Sequence, residues 1–237
     1  MTIAPPPAAP TSTEPTSTVT TPTVTTPTVT TPTEPLDIAG LVRAASADDH
    51  RAAESRGFIT ALMGGRLSLA DYTRYLAQLA WVYEALEERG SRPGDPVVFD
   101  PELARMAAIA ADLAALGASD WRDAHPPLPE TAEYAAHLRD VADDDVRYLA
   151  HHYTRYLGDL SGGQAIASLV ARHYGATPEQ LGFYRFDVAD DGVVRYKRGY
   201  REAMNALALQ PAEVDVLIAE VRTSFRMNSA IFEALDA

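Results

Sequence analysis

The chain has 237 residues, of which 46% are hydrophobic and 22% charged, and its formal net charge is −13. That length holds one sizeable domain and a tail, and the acidity argues against nonspecific nucleic-acid binding and against docking on anionic membranes, while allowing a partner with a basic face. Cysteine is absent, which excludes disulfides, thiolate ligation and iron–sulfur clusters and fits a cytoplasmic protein.

Residues 1–35 are low in complexity, with a Thr/Val/Pro repeat marked by Pro22, Pro27 and Pro32. Nine of the 17 prolines and no lysine or arginine fall there. Such a segment buries too little apolar surface to offset its ordering entropy, so a disordered tail is expected, with a tether or glycosylated stalk as the functional alternative. It lacks the basic start and apolar stretch of a standard secretory signal. No run of 18 apolar residues exists, so no membrane span is expected, and none after the last expected helix.

From Leu36 to the end, residues 36–237, the pattern is helical. Ile38, Leu41, Val42 and Ala45 open a helix expected from near Asp37 to about Arg56. Gly64-Gly65 break the chain, and Ser68 caps a helix carrying Tyr72, Tyr75, Leu76, Leu79, Tyr83 and Leu86. Gly94 and Pro96 lie in a loop, and an alanine-rich helix is expected over 101–116. After the loop at His125-Pro126-Pro127, helices are expected over about 130–140 and 143–157, then from about Gly163 to His173. Thr177-Pro178 reads as a helix start, and Gly182 to Gly192 as irregular with short extended pieces. Helices over about 193–208 and 212–234, divided by Pro211, close the chain. Alternating strand patterns are nearly missing, so the expected fold class is all-α, one helical domain behind the tail.

Three features point to chemistry. Gly158, Gly162 and Gly163 interrupt helix-forming sequence, each at a cost of roughly 1 kcal/mol relative to alanine. They imply a kinked helix lying close to something bulky, although a helix–helix contact or a turn uses glycine equally. Of the six histidines, His50 sits at the margin of its helix's apolar face, with Glu54 four residues on. That spacing suits a metal-binding imidazole whose second nitrogen is held by a carboxylate, and it suits an ordinary surface pair as well. Asn228 falls inside the apolar stripe of the last helix, beside Phe225, and needs partners if buried. Lys197 and Arg201 share a helix face that is either a carboxylate-binding pair or a solvated basic surface.

The string Tyr153-Thr154-Arg155-Tyr156-Leu157-Gly158-Asp159-Leu160-Ser161-Gly162-Gly163-Gln164 resembles the signature of the biliverdin-producing heme oxygenases. Asp49-His50-Arg51-Ala52-Ala53-Glu54 and Lys197-Arg198-Gly199-Tyr200-Arg201-Glu202-Ala203-Met204-Asn205 resemble two further segments of that family, and the resemblance covers roughly 37–235. It implies a helical bundle with a kinked distal helix over the heme. His50 becomes the proximal iron ligand, oriented by Glu54, and Gly158, Gly162 and Gly163 admit the porphyrin. Asp159 would hold a water that serves the bound oxygen. Arg155, Tyr83, Tyr134 and Asn228 would complete its polar network. Lys197, Arg201 and Tyr153 would contact the propionates, with Phe225 against the ring. Where some relatives carry two basic residues before the histidine, this chain has Arg43 and Ala47.

The implied activity is oxidative cleavage of heme b, both cofactor and substrate, by O2 and reducing equivalents to biliverdin (IXα from the propionate anchoring), CO and Fe2+. The implied partner is a ferredoxin or a flavoprotein reductase, and the chain is expected to act as a monomer. A noncatalytic heme store or sensor, and an unrelated helical module, are the competing readings. The intact Gly/Asp signature favours the enzyme, since storage has no need of Asp159.

Overall fold

The computed structural model describes Met1, residues 36–188 and residues 192–236. The expected disordered tail therefore lies outside the described residues, apart from Met1. Pro35–Ala237 form one compact unit. The order of helices is α1 (Ile38–Ala45), α2 (Ala47–Glu54), α3 (Gly57–Met63), α4 (Leu69–Glu87), α5 (Met106–Ala115), α6 (Trp121–Ala124), α7 (Pro129–Asp140), α8 (Asp145–His152), α9 (Gly158–Tyr174), α10 (Gly192–Asn205) and α11 (Pro211–Asp236). There is no strand among the described residues, so the fold class is all-α.

The centre is α4. Its Tyr72, Leu76, Leu79, Tyr83 and Leu86 are at most 1% exposed, and it packs against α5, α7 and α9. Its start is fixed by a capping box, in which the Asp71 amide donates to Ser68 Oγ at 3.2 Å and the Ser68 amide donates to Asp71 Oδ2 at 2.9 Å. The last helix, α11, lies along α2, α3, α7 and α8 and places Leu217, Val221, Ile231 and Phe232 in the core. α10 is tied to α1 through Asn205, whose Oδ1 accepts from the Ala39 amide at 2.8 Å and whose Nδ2 donates to Asp37 Oδ1 at 3.0 Å. These two helices carry most of the basic residues discussed below.

Several boundaries differ from the sequence expectation. The helix expected from Asp37 to Arg56 divides at Ser46, between α1 and α2, and α3 follows it separately. Ser46 is buried and its Oγ donates to the Val42 carbonyl at 2.8 Å, a back-bond that bends a helix. The helix expected over 101–116 is a short 3-10 turn, Pro101–Leu103, followed by α5. The described part of the 182–192 stretch holds a 3-10 turn, Gly182–Tyr184, and no strand. Pro211 does not merely separate two helices; it begins α11, where its missing amide is harmless.

The largest difference lies at the glycine stretch. Tyr153–Leu157 form a π-helical segment between α8 and α9, and all three glycines fall within the regular helix α9, which starts at Gly158 rather than Gly163. The interruption thus precedes the glycines. At its start Thr154 Oγ1 donates to the Ala150 carbonyl at 2.7 Å, engaging an acceptor of the regular ladder where the turn widens. Gly175, at φ 69°, ends α9 in the left-handed conformation that glycine accommodates.

Candidate active site

Between α2 and α11 on one side and the π segment and α9 on the other lies a cleft of about 660 Å³. Its lining includes Arg43, His50, Glu54, Tyr153, Arg155, Gly158, Asp159, Gly162, Lys197, Arg201, Phe225 and Asn228.

The α2 wall carries His50, whose side chain is 53% exposed. Its Nδ1 lies 3.3 Å from Glu54 Oε2, which favours a proton on Nδ1 and leaves Nε2 as a free donor atom for the cleft. The ring of Phe225, from α11, meets the imidazole edge-on at 5.6 Å and 75°. Rotation of the imidazole is thereby limited on two sides.

The opposite wall is backbone. A Cβ built on Gly158 or on Gly162 meets nothing within 4 Å. Gly158 has ordinary helical angles, φ −60° and ψ −52°. Neither conformation nor protein packing therefore calls for glycine at these positions. What their bareness provides is room for a flat object in the cleft. Gly163 behaves differently, for its Cβ would lie 2.9 Å from Tyr184 Cδ1. It is absent from the cleft lining, so its bareness serves packing of the protein against itself, not the cofactor contact expected from the sequence.

Beside the glycines stands Asp159, its side chain 14% exposed. Burial pushes its carboxyl up, against the opposing pull of Arg155 and a hydrogen bond from Tyr83. The Tyr83 hydroxyl donates to Asp159 Oδ2. Arg155 Nη2 is 3.9 Å from Asp159 Oδ1, its Nη1 donates to Asn228 Oδ1 at 2.7 Å, and its Nε donates to the Tyr83 hydroxyl at 3.4 Å. The guanidinium also lies 5.1 Å from the centre of the Tyr83 ring. Burial works against the charge on Arg155, but the Asp159 carboxylate beside it and the surrounding hydroxyls of Tyr83, Tyr134 and Tyr75 favour the protonated guanidinium. Four polar groups from α4, the π segment, α9 and α11 thus form one network with a single carboxylate facing the cleft.

Tyr83 does not line the cleft and acts from behind Asp159. Tyr134 is farther away. Its hydroxyl lies 2.8 Å from Ser224 Oγ and 3.3 Å from His151 Nδ1, and it makes no hydrogen bond to the Asp159 network. It stands one step behind that network, because α7 turns its hydroxyl toward α8 and α11 while the charges of Arg155 and Asp159 still bear on it.

The rim is cationic. Arg43, Lys197 and Arg201 all line the cleft, and Arg43 and Arg201 lie close enough to Tyr153 to oppose the rise that burial causes in its hydroxyl pKa. Lys197 Nζ donates to Ser161 Oγ at 3.2 Å. None of the three is ion-paired among the described residues. In a chain of net charge −13, three uncompensated cations at one mouth point to an anionic ligand. A bare glycine wall, one available imidazole and a cationic rim fit a flat, metal-bearing dicarboxylate such as heme.

Sequence reasoning missed Tyr75 and the apolar wall of Ile59, Leu157, Ile166 and Phe232. Tyr75 was legible in principle, since it lies eight residues before Tyr83 on the same face of α4. The apolar residues carry no such signal.

The family model described as heme oxygenase matches residues 36–234. Heme oxygenase 1 of Gallus gallus is 37% identical over 208 residues, covering 84% of this chain and 70% of the relative. The heme oxygenase of Porphyra purpurea is 31% identical over 206 residues, covering 84% and 87%. Among solved structures, heme oxygenase-1 from the cyanobacterium Synechocystis sp. PCC6803 in complex with heme superposes with a TM-score of 0.79 at 30% identity, covering 85% of this chain and 93% of that one. Heme oxygenase from Leptospira interrogans gives 0.78 at 32%, covering 84% and 100%. With a glycine-walled cleft holding His50 opposite Asp159, and with these similarities along its length, the chain belongs to the heme oxygenase family, oxidoreductases that cleave heme.

Proposed function

We infer that this chain binds heme b through His50 and cleaves it with O2 and reducing equivalents to biliverdin, CO and Fe2+. The observation that carries the reading is the pairing of one available imidazole on α2 with the bare glycine face and buried carboxylate of α9 across a single cleft. Bound heme supplies both the redox-active iron and the carbon skeleton that is oxidised.

The protein's own residues then have separable tasks. His50 Nε2 is the iron ligand, with Glu54 fixing its tautomer. Arg43, Lys197, Arg201 and Tyr153 receive the propionates and set the rotation of the ring, and hence which meso edge is cut; the α edge, giving biliverdin IXα, is the assignment. Gly158 and Gly162 let the helix backbone approach the ring face. With Tyr83 bound to Oδ2, Asp159 keeps Oδ1 for a water that delivers protons, and Arg155, itself held by Asn228, stands beside that carboxylate. No histidine reaches the cleft on this side, so proton delivery is through a carboxylate-held water rather than a strong acid.

The electron donor is assigned to the class of ferredoxins or flavoprotein reductases, and on this acidic chain a donor with a basic docking face would be favoured. No helix among the described residues is long and apolar enough to cross a membrane. The cytoplasm is the proposed compartment and the monomer the proposed state. The test is reconstitution with heme, reduction under O2, and identification of the products. Biliverdin release by the wild type, with heme bound but not converted by Asp159→Ala, supports the reading. Heme that stays intact in the reduced, oxygenated wild type overturns it in favour of storage or sensing.

A further inference from the structure

Away from the cleft, three metal-ligating side chains converge. His137 of α7, His151 of α8 and Glu220 of α11 bring their ligand atoms within 4.8 Å of one another. Their side chains are 19%, 0% and 8% exposed. Both imidazoles turn the same atom, Nε2, toward the same oxygen, Glu220 Oε1. That distance is 2.9 Å from His151, and His137 is in contact as well. The two rings meet edge-on at 5.2 Å.

We propose that His137, His151 and Glu220 form a three-ligand site for a borderline divalent cation of the zinc type, with water as fourth ligand. Two imidazole nitrogens and one carboxylate oxygen match the donor set that such cations take, with an open position left over. The partly exposed edge of His137 gives solvent access to that position. Without a cation, each Nε2 must carry a proton in order to donate to Oε1. The cation replaces both protons at once.

The surrounding groups already orient the ligands. The Tyr134 hydroxyl sits 3.3 Å from His151 Nδ1, so the second nitrogen of the deeper imidazole is occupied. Arg147 Nε donates to Glu220 Oε2 at 2.9 Å, which leaves Oε1 as the ligand oxygen. Arg147 is 37% exposed, so its charge can turn to solvent as the cation enters. Tyr134 thereby stands between this cluster and the Asp159 network. A bound cation would join three helices. One of them, α8, runs directly into the π segment that carries Arg155, and another, α11, carries Asn228. The site thus braces the frame behind the cleft, and its existence is independent of the heme chemistry.

The test uses the full chain, stripped with chelator and then given Zn2+ or Co2+. Expected are retention of about one Zn2+ per chain on dialysis, a rise in Tm with Zn2+, and the visible absorption of four-coordinate Co2+. His137→Arg keeps a cation against Glu220, so the chain should fold, but it should lose all three responses. Glu220→Gln is the second variant, expected to weaken Co2+ binding by about 100-fold or more. His50→Ala should leave the responses intact. Absence of metal retention in the wild type overturns the proposal. So does an unchanged response in both His137→Arg and Glu220→Gln, or loss of the response in His50→Ala, which would locate the cation at the His50–Glu54 pair instead.

Discussion

Gly162 and Gly163 are neighbours in sequence and opposites in physics. A side chain at 162 points into the cleft, whereas one at 163 strikes the buried Tyr184 ring. Gly162→Leu should therefore raise the thermal stability of the heme-free protein by about 1 kcal/mol, as a helix former replaces glycine, while preventing heme from binding. Gly163→Ala should do the reverse, destabilising by about 1–3 kcal/mol through overpacking with heme affinity retained in the folded fraction. Thermal melts and heme titration of both variants check this. Asp159 offers a second contrast. Its folded pKa is raised by burial above the unfolded value. A carboxyl raised in this way carries a penalty for ionisation that is absent below the unfolded pKa and grows as pH rises through the folded pKa. Asp159→Asn should accordingly make the heme-free protein more stable at pH 7 and no more stable near pH 3. Urea unfolding at both values measures it, and the gain should come with loss of turnover.

At the scale of elements, the organisation depends on where helices start and stop. The Ser68–Asp71 capping box sets the register of α4, which in turn places Tyr75 in the cleft wall and Tyr83 behind it. Ser68→Ala should cost about 1 kcal/mol, seen as a lower denaturant midpoint with unchanged m. The bound-heme spectrum should not change, because the cap lies far from the network it positions. The π segment acts in the other direction. It widens one turn between α8 and α9, so the α8 face turned toward Glu220 and the α9 face turned toward the cleft are set by separate stretches of one continuous backbone. Arg155, inside the widened turn, reaches both Asn228 on α11 and Tyr83 on α4.

For the whole molecule, the cleft is bounded by segments far apart in the chain, with Arg43 and His50 near one end and Phe225 and Asn228 near the other. A ligand held by both ends links them. Heme present at 100 times its dissociation constant should therefore add about 2.7 kcal/mol to the stability of the fold, read as a rise in Tm. His50→Ala should abolish most of that rise while leaving the heme-free Tm nearly unchanged, since the His50 side chain is more than half exposed.

The sequence by itself determined the all-α class, the central helix with its cap, and most of the residues gathered at the cleft. Those residues belong to short local patterns, His50 with Glu54, Lys197 with Arg201 and the Gly/Asp run, whose spacing already assigns a helix face. Only the tertiary structure decided matters that depend on what a neighbouring helix presents. It split the first expected helix at Ser46, gave Gly163 to Tyr184, set the Tyr134 hydroxyl against Ser224, and brought His137, His151 and Glu220 together from three helices. A helical period tells which face a side chain occupies but not what stands opposite it, and partners separated by 69 or 83 positions, as Glu220 is from His151 and His137, leave no trace in any local window.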